Sequence, residues 1–214
     1  MDIPVKDTKA LGSKGERTRR RILDATLRLL AQRPLFEVRV TDVTRAAGVA
    51  QPHFYAYFAS LEDALLAAAH EVSGDELKVH LEPDWSGEAG LAHARALVEA
   101  AIAFWRRNTA ILTIVGVLAD RMHGPFAAVR ADQMRTVFGA FEDKIRHAQA
   151  TSGVSEAISP RLAGYECVNI LGSTGAKYDL LMASGFSHRR LVETTARLLH
   201  MMVTGERAPT PKNR

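Results

Sequence analysis

The stretch of residues 41–58, TDVTRAAGVAQPHFYAYF, limits the fold of this chain more than any other segment. Val43 and Ala47 lie four residues apart and form one apolar face of a short helix. Gly48 follows at the place where a helix commonly ends with a left-handed residue. Pro52 suits the start of a second helix, because the N–H that proline lacks is not needed there. Two short helices joined at a glycine predict a helix-turn-helix, whose second helix lies in the major groove of DNA.

Several side chains of these two helices are suited to DNA contacts rather than to a core. Gln51 can make paired hydrogen bonds to adenine, and His53 can donate a hydrogen bond to guanine. Phosphate contacts, in contrast, set the register of a protein on the duplex. We expect DNA contacts from these residues: Thr41, Thr44, Arg45, Gln51, Pro52, His53, Tyr55 and Tyr57. Thr41 is also a candidate N-cap, and Phe54 and Phe58 are expected in the core.

The segment resembles the TetR/AcrR family of transcriptional regulators. The resemblance covers residues 17–66 and rests on four stretches, RTRRRILDATLRLL, VTDVTRAAGVA, FYAYF and LEDALL. It is specific because several spacings agree at once over these fifty residues. The resemblance implies an all-α protein, with an N-terminal three-helix DNA-binding domain that contains the helix-turn-helix and a C-terminal helical domain for ligand binding and dimerisation. It also implies a repressor that binds a palindromic operator as a homodimer and leaves it when a small ligand binds.

Three residues depart from the family pattern. Leu61 stands where the family usually has a lysine that binds phosphate, and Ala50 replaces the common serine before the recognition helix. Leu35 stands near the place where the family prefers a glycine after the first helix. The first two departures remove DNA contacts that the family usually makes, and the third leaves the boundary of the first loop open.

Other functions are consistent with parts of the sequence. Tyr55 also fits a half-buried position, and Arg45 fits a solvated side chain without a partner. An enzyme is the first rival, but the sequence has no Gly-x-Ser-x-Gly, no glycine-rich phosphate loop and no His-Glu-x-x-His. We therefore predict no catalytic activity. The second rival is a helical small-molecule-binding protein with weak or lost DNA binding. The residue that hints at it is Leu61, which stands in place of the family's lysine.

Charge is concentrated in the first part of the chain. Residues 1–58 hold eleven Lys or Arg against six Asp or Glu, whereas the whole chain has a net charge of only +4. A basic head on a near-neutral body is typical of a DNA-binding module joined to a different domain. A solvated basic face without a partner explains the same numbers.

The composition bears on redox chemistry, metals and membranes. A single cysteine, Cys167, excludes an internal disulfide and a cysteine-based zinc site, and we predict no metal and no cofactor. The most apolar run, residues 109–119, is shorter than the roughly 20 residues that a membrane helix needs. The N-terminal residues lack the apolar region of a signal peptide. We therefore predict a cytoplasmic protein with no membrane partner.

Helical patterns and breakers divide the chain into domains. The predicted divisions are a disordered basic arm at residues 1–12, a helix-turn-helix DNA-binding domain at 13–72, a helical ligand-binding and dimerisation domain at 73–205, and a loose tail at 206–214. A capping box predicts that the first helix starts near Lys14, and Pro34 ends it. The later helices are predicted at about 61–81, 89–108, 108–121, 125–151, 159–184 and 187–203.

The family resemblance implies a ligand cavity inside the C-terminal helices. Its candidate walls are Phe104, Trp105, Ile111, Leu112, Val115, Met122, Phe138, Phe141, Tyr165 and Asn169. Such walls suit a small, mostly apolar molecule, although a residue of this kind is individually more often plain core than the wall of a pocket.

The last two predicted helices fit the role that the family gives them, which is to pair with their copies in a homodimer. Small residues recur along the first of them, at Gly164, Gly172, Ser173, Gly175 and Ala176, and permit close helix approach. The alternative is that both helices pack only inside one subunit.

Overall fold

The computed structural model of the protein describes residues 13–121, 124–151 and 154–206. All regular secondary structure in these ranges is helical, which confirms the predicted fold class. The chain divides into two compact units, Met1–Glu71 and Val72–Arg214. The predicted arm at 1–12 and the predicted tail after Glu206 lie outside the described residues.

The described part of unit 1, residues 13–71, contains four α-helices. They are α1 (Ser13–Leu30), α2 (Val40–Ala47), α3 (Gln51–Tyr57) and α4 (Leu61–His70), with a short 3₁₀ helix at Leu35–Glu37 between α1 and α2. The buried stripe of α1 includes Ile22 and Ala25, and α1 packs on α2 and α4. The hydroxyl of the buried Thr26 donates to the carbonyl of Ile22 at 2.9 Å, one turn back. The core of unit 1 therefore lies between α1 and the helices that follow it.

Helix α2 starts two residues earlier than the prediction that Thr41 is its N-cap. The N-cap is Arg39, and its backbone N–H donates to the carboxylate of Asp42 at 3.1 Å. The arginine side chain has only donors, so it cannot accept a hydrogen bond from the backbone N–H groups of the first turn. The prediction for Thr41 was wrong because Asp42, three residues after Arg39, fixes the start of the helix through the backbone.

Helix α4 is shorter than the predicted helix over residues 61–81. Ser60 caps its start as predicted, because its hydroxyl oxygen accepts from the N–H of Asp63 at 3.0 Å. The helix ends at His70, and residues Asp75–His80 form a separate 3₁₀ helix. Gly74, which lies in unit 2, donates its N–H to the carbonyl of Gln133 at 3.2 Å. A Cβ at Gly74 would lie 2.8 Å from that oxygen, so the break in the helix permits a close approach of two backbones.

Unit 2, Val72–Arg214, is built on one long helix. After the 3₁₀ helix come α5 (Gly87–Arg121), α6 (Pro125–Thr151), α7 (Pro160–Ala176), α8 (Tyr178–Ala183) and α9 (His188–Thr204). The prediction of two helices that meet at Asn108 was wrong. The side chains of Asn108 and Thr109 donate to the carbonyls of Phe104 and Trp105, one turn back, so these polar residues lie within a continuous helix.

By length and composition alone, α5 is apolar enough over Gly87–Asp120 to cross a membrane. A core helix of a globular protein meets the same criterion. Helix α5 packs on α6, α7 and α9, and its apolar side chains, including Leu97, Ile102 and Val115, are buried there. Arg107 on the exposed side pairs with Glu76. These contacts are those of a core helix.

The predicted helix over residues 159–184 is divided at Lys177. Ser159 caps α7 as predicted, with its hydroxyl oxygen accepting from the N–H of Leu162, and Lys177 leaves helical geometry before α8 begins. A Cβ at Gly175 would lie 2.4 Å from the Trp105 ring, and one at Gly164 would lie 3.2 Å from the backbone of Glu142. These two glycines therefore serve close packing of α7 within the subunit, which is the alternative to the predicted role in the dimer.

Helix α9 is held against α5 by packing and by charge. Val192, Leu199 and Val203 are buried, and Glu193 accepts a hydrogen bond from Arg95 of α5 at 2.7 Å. The Arg95 guanidinium holds the pKa of Glu193 below its usual range, with Arg197 adding to the effect. Ser187 caps the start of α9 as predicted.

Candidate nucleic-acid interface and ligand-binding core

The turn between α2 and α3 has the predicted geometry. Gly48 adopts the left-handed conformation, with φ 61° and ψ 43°, and its N–H donates to the carbonyl of Arg45. Phe54 is fully buried and lies 5.8 Å from the ring of Phe58, which is also buried. These two rings anchor α3 to unit 1, so the opposite face of α3 is free to meet a ligand.

The exposed part of α3 presents most of the residues expected at base edges and phosphates. Gln51, Pro52 and His53 are exposed at the start of α3. Tyr55 is 47% exposed, with its ring edge-on to Phe54 at 5.5 Å. Tyr57 is half-buried, and its ring lies 6.4 Å from that of Phe58. All five residues are therefore at least partly exposed on one short helix.

Helix α2 presents only two of the three residues expected to hold phosphates. Thr41 is exposed, and the Arg45 side chain is 81% exposed, 3.7 Å from Asp42. Thr44 is buried, and its hydroxyl donates to the carbonyl of Thr41 at 3.1 Å. Because the Thr44 proton is already used, this placement does not favour the predicted phosphate contact there.

The arginines of α1 are mostly engaged within unit 1. Arg19 and Arg20 both donate to the carboxylate of Glu71, at 2.9 and 2.7 Å. Arg21 donates instead to the backbone carbonyls of Ala47 and Gly48, at 2.6 and 3.0 Å. These roles were not predictable from the sequence, because a run of arginines carries no sign of which acceptor each side chain will find.

The predicted ligand-pocket residues are spread between core and surface of unit 2. The buried ones are Phe104, Ile111, Leu112, Val115 and Phe141. Trp105, Phe138 and Asn169 are half-buried, whereas Tyr165 is 53% exposed. Met122 lies outside the described residues. The pocket formed by these residues remains a prediction.

A groove of about 880 Å³ lies elsewhere in unit 2, and the described part of the predicted pocket contributes none of its walls. The walls include Leu81, Trp85, Thr136, Lys144, Val203 and Glu206. Lys144 donates to the carbonyl of Pro83 at 2.5 Å, with its amine 5.8 Å from the centre of the Trp85 ring. Burial lowers the pKa of Lys144. The groove therefore combines an aromatic wall with a partly desolvated amine.

A buried histidine lies next to one wall of this groove. His200 is fully buried, and neither ring nitrogen has a hydrogen-bond partner among the described residues. Its Nε2 lies 3.9 Å from the carboxylate of Glu206, which also accepts from the N–H of Gly87 at 2.9 Å. Sequence reasoning gave no signal for this arrangement.

Two family models match most of the chain. The model described as "Bacterial regulatory proteins, tetR family" matches residues 22–71, and the one described as "Tetracyclin repressor-like, C-terminal domain" matches residues 77–210. The chain belongs to the tetR family. It is a DNA-binding transcriptional regulator with ligand control.

Solved structures of other regulators share the fold. The fatty acid degradation regulator FadR from Bacillus halodurans is 16% identical, with a TM-score of 0.64 over 94% of this chain and 100% of that one. A tetR-family regulator from Streptomyces coelicolor is 18% identical, with a TM-score of 0.65 over 91% of this chain and 84% of that one. FadR from Bacillus subtilis, solved in complex with stearoyl-CoA, is 15% identical, with a TM-score of 0.60 over 87% and 98% of the two chains. No curated protein matches the chain.

In this TetR-family regulator the departures from the family pattern have local consequences. Ala50 is the N-cap of α3 and supplies no side-chain acceptor to it. Leu61 is half-buried at the first position of α4. Leu35 is half-buried and begins the 3₁₀ helix before α2. At the end of this 3₁₀ helix, the N–H of Val38 donates to the carbonyl of Leu35 at 3.1 Å. The first loop is therefore a compact turn without the usual glycine.

Proposed function

We propose that this regulator is a repressor that binds a palindromic operator as a homodimer and is released by a small, mostly apolar ligand. The observation that carries the proposal is the exposed face of α3, on which Gln51, Pro52 and His53 lie together over a buried aromatic anchor. A helix-turn-helix that reads a palindrome needs two copies about 34 Å apart. The proposal includes a cytoplasmic protein without catalytic activity.

The proposed domains follow from the same argument. Residues 13–72 bind DNA through α2 and α3, and residues 73–205 bind the ligand and the second copy. Apolar side chains on the outside of the last helices support the dimer: Leu162, Tyr165, Leu180, Leu198 and Met201 are all exposed. Such side chains are costly in water and are suited to an interface between copies.

A nuclease-protection experiment tests the proposed binding of a palindromic operator by a homodimer. We expect the purified protein to protect an inverted repeat in the DNA upstream of its own gene from nuclease cleavage, with two half-sites one helical turn apart. The size of the complex in sedimentation should correspond to two protein copies for each repeat. Protection of random and upstream DNA to the same extent would contradict the proposal.

The ligand has two candidate locations within unit 2. One is the predicted pocket around Phe104, Ile111 and Val115, and the other is the groove beside Trp85 and Lys144. The stearoyl-CoA complex of the regulator from Bacillus subtilis makes stearoyl-CoA and stearate reasonable first probes for a mostly apolar ligand. We expect one of them to raise the melting temperature and to weaken DNA binding.

Two glycines distinguish the locations. Gly139 lines the groove, and a Cβ there meets nothing within 4 Å, so Gly139→Leu adds a side chain that starts in open space and occupies part of the groove. Gly116 on α5 is equally open and lies away from the groove walls, so Gly116→Leu is the matched control. Loss of the probe's effect in Gly139→Leu alone assigns the ligand to the groove. An unchanged effect in both variants excludes the groove. No effect of either probe on DNA binding by the wild-type protein counts against an acyl ligand.

A further inference from the structure

Arg21 makes a contact that differs in kind from those of its neighbours on α1. One nitrogen of its guanidinium, Nη2, donates to the carbonyl of Ala47 at 2.6 Å and to that of Gly48 at 3.0 Å. These carbonyls lie at the end of α2, where a helix leaves its last carbonyls without partners inside the helix. A cation at this end also interacts favourably with the helix dipole. Arg21 therefore caps α2 from a different helix.

The turn after α2 is fitted closely around this guanidinium. Gly48 is left-handed there, and a Cβ at Gly48 would lie 2.9 Å from Nη2 of Arg21. Among the described residues, Arg21 has no carboxylate within salt-bridge distance, in contrast to Arg19 and Arg20, which both meet Glu71. The charge of Arg21 is thus met by two carbonyl oxygens of the turn.

No other side chain in the described part of the chain makes a hydrogen bond to residues 47–50. The start of α3 has no side-chain cap, because Ala50 stands at the N-cap. Gln51, the first residue of α3, lies three positions after Gly48. The orientation of the exposed start of α3 therefore depends on a turn that Arg21 holds.

We propose that Arg21 is a positioning residue for DNA recognition, which fixes the turn between α2 and α3 and so the orientation of α3 at the bases. It does this without contacting DNA. The proposal rests on DNA binding by unit 1 and on neither the proposed operator symmetry nor the ligand.

The test compares Arg21→Gln with Arg17→Gln. Arg17 is exposed on the same helix and has no ion-pair partner among the described residues, so its variant removes the same charge without removing the cap. The DNA is a duplex selected in vitro from a random library by the wild-type protein, with a random duplex beside it. Binding is measured over a range of salt concentrations, because the slope of log affinity against log salt counts phosphate contacts.

We expect Arg21→Gln to weaken binding to the selected duplex about tenfold, as the loss of an aligned base contact does. Binding to the random duplex should change less than about twofold, with an unchanged salt slope, because no phosphate contact is lost. In Arg17→Gln the ratio of the two affinities should stay at the wild-type value. Amide hydrogen exchange at Gly48 and Val49 should be faster in Arg21→Gln only.

Two results overturn the proposal. One is an equal loss on both duplexes with a salt slope reduced by about one, which makes Arg21 a phosphate contact. The other is an unchanged affinity ratio with unchanged exchange at the turn. If Arg21→Gln does not fold, Arg21→Lys takes its place, since it keeps the charge but lacks the planar guanidinium. For Arg21→Lys we expect a reduced ratio of the affinity for the selected duplex to that for the random duplex, at an unchanged salt slope. A folded Arg21→Lys protein with the wild-type ratio overturns the proposal.

Discussion

Single residues of the same type have different functions in unit 1. Arg19 and Arg20 hold the end of α4 through Glu71, whereas Arg21 holds the end of α2 through backbone carbonyls. The arginine-rich start of α1 therefore contributes less free positive charge than its composition indicates. Lys14 and Arg17 differ from Arg19, Arg20 and Arg21 in that their side chains make neither a salt bridge nor a hydrogen bond within the described part of the chain, and they are the candidates for phosphate contacts there.

Gln51 and Tyr57 are expected to differ in what they contribute to binding. Gln51→Ala should reduce discrimination between the selected and the random duplex about tenfold or more, because it removes paired bonds to a base. Tyr57→Ala should weaken binding to both duplexes by the same factor, because a phosphate contact carries no sequence information. Electrophoretic shift titrations on the two duplexes measure both effects. The same behaviour in both variants would contradict this division of roles.

At the residue scale the sequence predicts chemistry better than it predicts partners. The types of Gln51 and His53 indicate base contacts, and the structure places both on the exposed side of α3. The bond from Arg21 to Ala47 joins residues 26 positions apart through a backbone oxygen, which every residue carries. No local pattern identifies such an acceptor. Thr44 was likewise unpredictable, because its burial depends on how α2 packs against α1.

At the scale of single elements, the start of α2 is less stable than it could be. Arg39 at the N-cap has extended geometry, with φ −112° and ψ 156°, but it offers no acceptor to the first turn. Arg39→Thr should raise the free energy of unfolding of unit 1 by about 0.5–1 kcal/mol, because threonine supplies that acceptor. Arg39→Ala removes the same charge without adding a cap and is the control. Equal stability of the two variants in chemical denaturation would show that the cap contributes nothing.

The contact between α5 and α9 should depend on pH through Glu193. Its folded pKa lies below the ordinary value of 4.5, so its stabilising effect is present above that value and is lost as the pH falls through the folded pKa. Glu193→Gln should therefore lower the melting temperature at pH 7. The corresponding loss in the free energy of unfolding should be at most about 1 kcal/mol, because the ion pair is partly exposed. The difference from wild type should shrink below pH 4.5.

Glu156→Gln provides the matched control for this experiment. Glu156 is exposed and forms no salt bridge with any residue that the structure describes. Melting curves from pH 3 to pH 8 should show no pH-dependent difference between this variant and wild type. This range extends from about one unit below the ordinary carboxyl pKa to more than about three units above it. A pH profile shared by both variants would mean that the ion pair with Arg95 does not stabilise the contact.

Element boundaries were predictable where a side chain makes a local bond and not where the backbone meets a distant element. Ser60, Ser159 and Ser187 cap their helices as the sequence indicates. The end of α4 at His70 and the continuity of α5 through Asn108 were not predicted. The end of α4 is followed by Gly74, whose backbone N–H donates to a carbonyl of α6. The continuity of α5 places Asn108 inside a helix, where its side chain donates to a carbonyl one turn back.

At the scale of the whole molecule, the proposed dimer is open to a direct test. Leu198 on α9 is 47% exposed, and Leu198→Glu places a carboxylate in the proposed interface. Sedimentation velocity should show a monomer, and affinity for a palindrome should fall further than affinity for a half-site. Val117→Glu on α5 is the control, since Val117 is 48% exposed and lies outside the last two helices. A dimer that survives Leu198→Glu would place the interface elsewhere.

The architecture followed from the sequence more fully than the ligand site did. Helical periodicity and the motif at residues 41–58 are local features, and they predict the all-α fold and the helix-turn-helix that the structure contains. A cavity is set by how several helices pack at once, and the groove beside Trp85 draws its walls from segments more than a hundred residues apart. The apolar residues chosen as pocket walls satisfy the same pattern as core residues, so periodicity alone does not separate them.

The fit between Gly175 and Trp105 has an evolutionary consequence. No other residue leaves space for the indole, whose nearest ring atom lies 2.4 Å from where a side chain at 175 would begin. The two positions are therefore expected to change together: descendants of a common ancestor that carry a larger residue at 175 should carry a smaller one at 105. An alignment of related chains would then show this pair varying jointly, although 70 positions separate them.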